Sequence, residues 1–189
     1  LDVVIIIERL DELTILLDLL EPDDVRPKIG LRARLRGQGS GKWAASSGDR
    51  SKFGLTSAEM LTAIELLNRH QALDDLRLLH FHAGSQINDL EPLRQSLREA
   101  TQLVLELRRL GAKRLDHLDI GGGLAVDYDG SKTASSLSKS YTLHEYAETA
   151  VKEVAAICDQ AGQAHPHLIT EAGRATVAHH SLLVVEVIG

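Results

Sequence analysis

Leu115-Asp116-His117-Leu118-Asp119-Ile120-Gly121-Gly122-Gly123-Leu124 decides the fold. Its first six residues read as a strand, and the glycine triplet marks an abrupt opening into a loop. Two other stretches break in the same way. His80-Phe81-His82-Ala83-Gly84-Ser85-Gln86 closes a strand over residues 76–81, and Thr170-Glu171-Ala172-Gly173-Arg174 closes one from His167 to Thr170. Helical patterns lie between them. Leu93, Leu97, Ala100, Val104 and Leu107 share one face of a long helix ending at Gly111. Thr142 and Glu145 stand at capping-box spacing before a helix reaching about Ala161.

The alternation extends in both directions. Val3 to Ile7 reads as a strand, followed by a helix face of Leu10, Leu13, Leu17 and Leu20 that Pro22 and Asp23-Asp24 terminate. Lys28 to Leu35 is the next strand, and Gly37 to Asp49 a glycine- and serine-rich loop. Thr56 and Glu59 form a second capping-box pair before a helix to about Asn68. Asp129 to Ser140 reads as a polar exposed loop, and Leu182 to Val187 as a further strand. Strands alternating with helices predict a parallel α/β fold. A doubly wound sheet and a (β/α)8 barrel both fit. The barrel is favoured because the candidate ligand residues fall at the C-terminal ends of several strands. Five or six units fill residues 1–189, so the expectation is an incomplete internal segment of a barrel whose open edges invite aggregation.

Bulk properties narrow the function. A chain of 189 residues can build one core, and 43% hydrophobic with 25% charged residues is ordinary for a soluble protein. A net charge of -6 argues against a nucleic-acid partner. No apolar run approaches the roughly 18 residues of a membrane span, and no signal-peptide pattern precedes the first strand. Cys158 is the single cysteine, which fits a reducing, cytoplasmic setting. Its apolar helical neighbours make it an inert buried thiol rather than a nucleophile.

The strand-end motifs carry the chemistry. Gly121, Gly122 and Gly123 would let backbone N–H groups approach a phosphate, although a tight turn alone also explains them. A dinucleotide fingerprint fails at Val126, and a phosphate-binding Walker loop fails at Arg36. Glu171 could keep a pyridine nitrogen protonated, and Arg174 could grip a phosphate, unless the two form an ordinary ion pair. His80 and His82 alternate along a strand and so share a face, with no third metal ligand nearby in sequence. His165, His167, His179 and His180 carry no further signal. Together the motifs supply a flat ring partner, a phosphate loop and a carboxylate with an arginine. That set suits pyridoxal 5'-phosphate.

At these residues the chain resembles the fold-type III, pyridoxal-phosphate-dependent basic amino acid decarboxylases, and within them the biosynthetic arginine decarboxylases. The resemblance runs from Ile29-Gly30-Leu31-Arg32-Ala33-Arg34-Leu35 to Ala178-His179-His180. Its most specific stretches are Gln38-Gly39-Ser40-Gly41-Lys42-Trp43, Ser51-Lys52-Phe53-Gly54-Leu55 and the run from Gly121 through Val126-Asp127-Tyr128-Asp129-Gly130. It implies an alanine racemase-like (β/α)8 TIM barrel. It also implies that His82 stacks on the cofactor ring and Glu171 pairs with the ring nitrogen, the two catalytic assignments. Arg32, Ser85, Gly121, Gly122, Gly123, Gly173 and Arg174 complete the implied cofactor contacts. Leu118, Asp119, Ile120, Gly121, Gly122, Gly123, Leu124, Ala125, Val126, Asp127 and Tyr128 match the stretch assigned to substrate binding.

The implied reaction is decarboxylation of arginine to agmatine and carbon dioxide, feeding polyamine synthesis. A homodimer or higher homo-oligomer of the full-length protein and a magnesium requirement are implied by the family alone, and no carboxylate cluster in the sequence marks a metal site. The lysine that carries the cofactor in this family has no counterpart here, since Lys28, Lys42 and Lys52 sit in other motifs. The family's C-terminal domain is absent as well, so the segment by itself is expected to be inactive. Ala172 stands where the family pattern has proline or serine. A decarboxylase of diaminopimelate or ornithine, and a non-catalytic binding relative, are the alternatives.

Overall fold

Parallel neighbours need a crossover of a dozen or more residues, and the helical stretches supply it. The computed structural model describes residues 3–21, 25–36 and 52–187. In chain order they form β1 (Val4–Ile7), α1 (Leu10–Asp18), β2 (Lys28–Arg32), α2 (Ser57–Arg69), a 3-10 turn (Leu73–Asp75), β3 (Leu76–His80), α3 (Leu90–Arg109), β4 (His117–Asp119), α4 (Leu143–Gln160), β5 (His167–Ile169) and α5 (Gly173–Val177). The strands form one sheet in the order β1-β2-β3-β4-β5, with every pair parallel. A doubly wound sheet reverses its order partway, whereas a barrel wall adds each strand beside the last. The sheet is therefore a barrel wall.

Local chemistry starts the helices where the sequence places them. Thr56 Oγ1 accepts from Glu59 N at 3.2 Å while the Glu59 carboxylate accepts from Thr56 N at 2.8 Å. Thr142 and Glu145 repeat the exchange at 3.2 and 2.7 Å. Glu12 does similar work for α1, accepting from the N–H groups of Glu8 and Arg9. Leu93, Leu97, Ala100, Val104 and Leu107 of α3 are buried in one contiguous core with Ile29, Leu31, Leu76 and Leu79 of the sheet. Arg98 and Glu153 tie α3 to α4 through two hydrogen bonds of 2.8 and 3.1 Å.

Some expectations change. The strand expected over Lys28 to Leu35 stops at Arg32, beyond which Ala33 forms an isolated bridge to Leu55. The strand expected from Leu115 is confined to His117–Asp119. Leu182 to Val187 is not a strand, and Leu182, Leu183, Val184, Val185 and Val187 are each at least 70% exposed. Apolar β-formers alone do not make a strand. They need a ladder partner and a surface to bury against, and among the described residues this segment has neither. Asp129 to Ser140 is a mostly exposed loop as expected, but it is anchored by Ser138, which is fully buried. The expected terminators Pro22, Asp23 and Asp24, the loop Gly37 to Asp49, and Gln38 to Trp43 lie outside the described residues, as does Ser51.

Burial of the α3 face makes a direct forecast. Leu97→Ala, at a fully buried position, should cost about 2–5 kcal/mol in urea unfolding. Val151→Ala on the exposed side of α4 should stay within about 0.5 kcal/mol.

Candidate functional site

The strand ends meet because the parallel ladder continues past them. Ala33 N donates to His80 O at 2.7 Å, Phe81 N to Asp119 O at 3.0 Å and Ile120 N to Ile169 O at 2.9 Å. Glu171 N closes the series on Gly121 O at 3.0 Å. The loops after β3, β4 and β5 are thereby held backbone to backbone.

That closeness explains two of the three glycines. Gly121 has φ +66°, and a Cβ there would lie 2.5 Å from Phe81 O. Gly123 has φ +103°, and its Cβ would lie 2.5 Å from Gly84 O. Side chains are excluded at both by backbone conformation and by space. Gly122 is different, because its nearest neighbour would be His82 Cε1 at 3.5 Å. The triplet therefore presents a smooth face beside an imidazole. This cradle fits a flat, phosphorylated ring such as pyridoxal phosphate.

His82 faces that cradle and keeps part of its ring open to solvent. Gly122 N donates to His82 Nδ1 at 3.3 Å, which puts the ring proton on Nε2. Partial burial pushes its pKa below the usual histidine value, with the neighbouring Arg32 and His80 adding to the effect and Glu171 and Asp119 opposing it. The imidazole is neutral at pH 7.

Beneath His82 lies a buried polar layer. Asp119 Oδ1 accepts from Gly121 N at 2.9 Å, and its other oxygen is 3.0 Å from His80 Nδ1. The His80 nitrogen lies off the hydrogen-bonding direction and has no hydrogen-bond partner. One donor atom each of His80, Asp119 and Glu171 lie within 4.8 Å of one another. Sequence spacing hides this cluster, because its members come from three adjacent strands. Glu171 itself is exposed at the rim.

The remaining expected residues divide by location. Arg174 Nη2 donates to Ser85 Oγ at 3.0 Å and its Nη1 to Tyr128 Oη at 3.2 Å. Gly173 opens α5 with free space around its Cα, and Ala172 before it takes a left-handed φ of 36°. Arg32, at the end of β2, is ion-paired with Glu8 and lies 5.1 Å over the Phe53 ring. Of the run from Leu118 to Tyr128, the side chains of Leu118, Ile120, Leu124, Ala125 and Val126 are core, and Asp119 is engaged internally. Asp127 is half-buried, and Tyr128 is the one exposed side chain of that run.

Several structural partners escaped sequence reasoning. Glu8 follows β1 at a strand end, the position that signalled the others. Gln86 was part of a quoted motif, but its role emerges only in three dimensions. Its amide pairs twice with the Val126 backbone, at 2.7 and 3.1 Å. Asn88 Nδ2 donates to Ala134 O and Ser135 O at 2.6 and 3.1 Å. Tyr141 Oη donates to Ile87 O at 2.5 Å and accepts from Ala125 N at 3.1 Å, and burial pushes its pKa up to about 12. A cavity of about 730 Å³ lined by Arg108, Lys113, Asp116 and His167 lies at the amino ends of β4 and β5, away from this constellation.

Residues 2–178 match the family described as pyridoxal-dependent decarboxylase, pyridoxal binding domain. The biosynthetic arginine decarboxylase of Geobacter sp. (strain M21) is 46% identical over 99% of this chain and 29% of its own length. That of Rhodopirellula baltica is 48% identical over 97% of this chain and 27% of its own length. The crystal structure of the biosynthetic arginine decarboxylase from Campylobacter jejuni superposes with a TM-score of 0.77 at 36% identity, covering 92% of this chain and 27% of that one. The chain thus spans less than a third of the relatives it matches.

The His82 environment sets a titration. Its NMR midpoint should fall below 6.5, with the neutral ring protonated on Nε2. An unfolded histidine takes up its proton first, so this residue's contribution to stability is present above pH 6.5 and is lost as pH falls through the lower folded value.

Proposed function

Since the chain belongs to the pyridoxal-dependent decarboxylase family, we propose that the full-length protein decarboxylates L-arginine to agmatine and carbon dioxide, for polyamine synthesis. The observation that carries this reading is the convergence of His82, the glycine triplet, Glu171 and Arg174 at neighbouring strand ends. The high identity to biosynthetic arginine decarboxylases over nearly the whole chain favours arginine over other amino acids. A homodimer in the cytoplasm is the setting we infer from the resemblance. Among the described residues no helix is long and apolar enough to cross a membrane.

Pyridoxal phosphate, when bound, would supply the electron sink for the pair left on the substrate carbon when carbon dioxide departs. The residues of this chain bind and tune. Ser85, Arg174 and the glycine backbone would hold the phosphate. Neutral His82 would offer its open ring face without adding a charge that opposes protonation of the cofactor ring. Glu171 would keep the ring nitrogen protonated by opposite charge. Asp119 stiffens the support by accepting from Gly121 N–H, with His80 packed against its other oxygen. Magnesium does not fit the one cluster of three metal-ligating side chains among the described residues. His80, Asp119 and Glu171 mix an imidazole with carboxylates, one of them already hydrogen-bonded, whereas magnesium prefers six oxygens with several waters.

Carbon dioxide release by the full-length protein, measured with arginine, ornithine, lysine and diaminopimelate in parallel, tests the assignment. Release from arginine alone, with visible absorption from bound cofactor, is expected. Release from another amino acid would move the substrate, and a folded protein with neither signal would support the non-catalytic reading. Glu171→Gln should lower kcat by about a hundredfold or more while changing cofactor affinity by less than about threefold. Unchanged turnover would remove Glu171 from its role.

A further inference from the structure

Arg174 is presented by α5, a five-residue helix that touches the core through half-buried Ala175 while the Arg174 side chain itself is exposed. Two oxygens orient the guanidinium. Nη2 donates to Ser85 Oγ at 3.0 Å and Nη1 to Tyr128 Oη at 3.2 Å. A guanidinium is a rigid planar fork, so fixing both terminal nitrogens fixes its plane.

The two acceptors belong to one locked unit. Ser85 immediately precedes Gln86, whose amide holds the Val126 backbone from both sides, and Tyr128 lies two residues further on. Tyr128 N donates to Leu137 O at 2.8 Å, and Asp127 Oδ1 accepts from buried Ser138 Oγ at 2.5 Å. The phenol ring lies against His179, with centroids 6.4 Å apart. Tyr128 is thus held on three sides with its hydroxyl toward Arg174.

We propose that Tyr128 is a positioning residue that aims Arg174 at the cofactor phosphate, and that it does not read the amino acid substrate. The inference rests on the proposed cofactor site and departs from the substrate-binding role that the resemblance implies. Charge supports it. The side chain of an arginine substrate is cationic, and a site beside the Arg174 guanidinium repels it while attracting a phosphate. Two of the five N–H groups of Arg174 are spent on Ser85 and Tyr128, which leaves others for an anion.

The test uses the full-length enzyme and Tyr128→Phe, which removes one exposed hydroxyl and keeps the ring. Apoprotein is titrated with pyridoxal phosphate and, separately, with pyridoxal, which lacks the phosphate. The expected result is a threefold to tenfold weaker Kd, roughly the worth of one hydrogen bond, for pyridoxal phosphate only. The 31P resonance of bound cofactor should shift, and KM for arginine at saturating cofactor should not change. In an Arg174→Gln background the Tyr128→Phe change should add nothing. A raised KM for arginine with unchanged cofactor affinity would overturn the inference, as would additive effects in the double variant. Failure of the unaltered protein to bind pyridoxal phosphate at all would overturn the proposed function and this inference with it.

Discussion

The parallel hydrogen-bond ladder, carried one step beyond each strand, is the constraint on which the constellation depends. Strand pairing alone would set the directions of β2 to β5 and leave their loops free. Four further backbone bonds, from Ala33 to His80, Phe81 to Asp119, Ile120 to Ile169 and Glu171 to Gly121, bind each strand end to its neighbour. Side chains at three strand ends then acquire fixed mutual positions, and His80 and Asp119 approach to 3.0 Å. Crowding at Gly121 follows from the same bonds, and crowding at Gly123 from a further one, Ile87 N to Gly123 O at 2.9 Å, because backbones drawn this close leave no volume for Cβ. The ladder therefore dictates where glycine is required and where, at Gly122, space is left.

Electrostatics builds on that frame in two layers. The lower layer, His80 with Asp119, is buried and attached to the glycine loop through Gly121 N–H. The upper layer, His82, Glu171 and Arg174, is exposed and can meet a ligand. Arg32 contributes from the side, its charge partly matched by Glu8, and helps keep His82 neutral. A carboxylate and an arginine near one another could have neutralised each other as an ordinary ion pair. Arg174 instead bonds to two hydroxyls, so its charge is not consumed by Glu171 through any described contact.

Legibility in the sequence followed the range of the interactions involved. Thr56 with Glu59 and Thr142 with Glu145 act across three residues, and both helix starts were readable to the residue. The apolar face of α3 was equally plain, because helical period and burial coincide. Leu182 to Val187 misled, since strand-like composition says nothing about whether a partner strand is there. The cluster of His80, Asp119 and Glu171 draws on residues far apart in the chain, and no local spacing rule could assemble it. Gln86 and Asn88 were hidden for another reason. They bond to backbone atoms, whose location is a property of the fold rather than of any residue type.

That last feature has an evolutionary side. Gln86 grips the main chain of Val126, and Asn88 the carbonyls of Ala134 and Ser135. A lock of this kind constrains one partner only. The exposed residues at 134 and 135 can drift in identity without loosening it, whereas Gln86 and Asn88 cannot and Val126 is held by its own burial. Insertion or deletion between 126 and 135 would move the carbonyls away and undo it. Descent of this loop is therefore governed by its length more than by its letters.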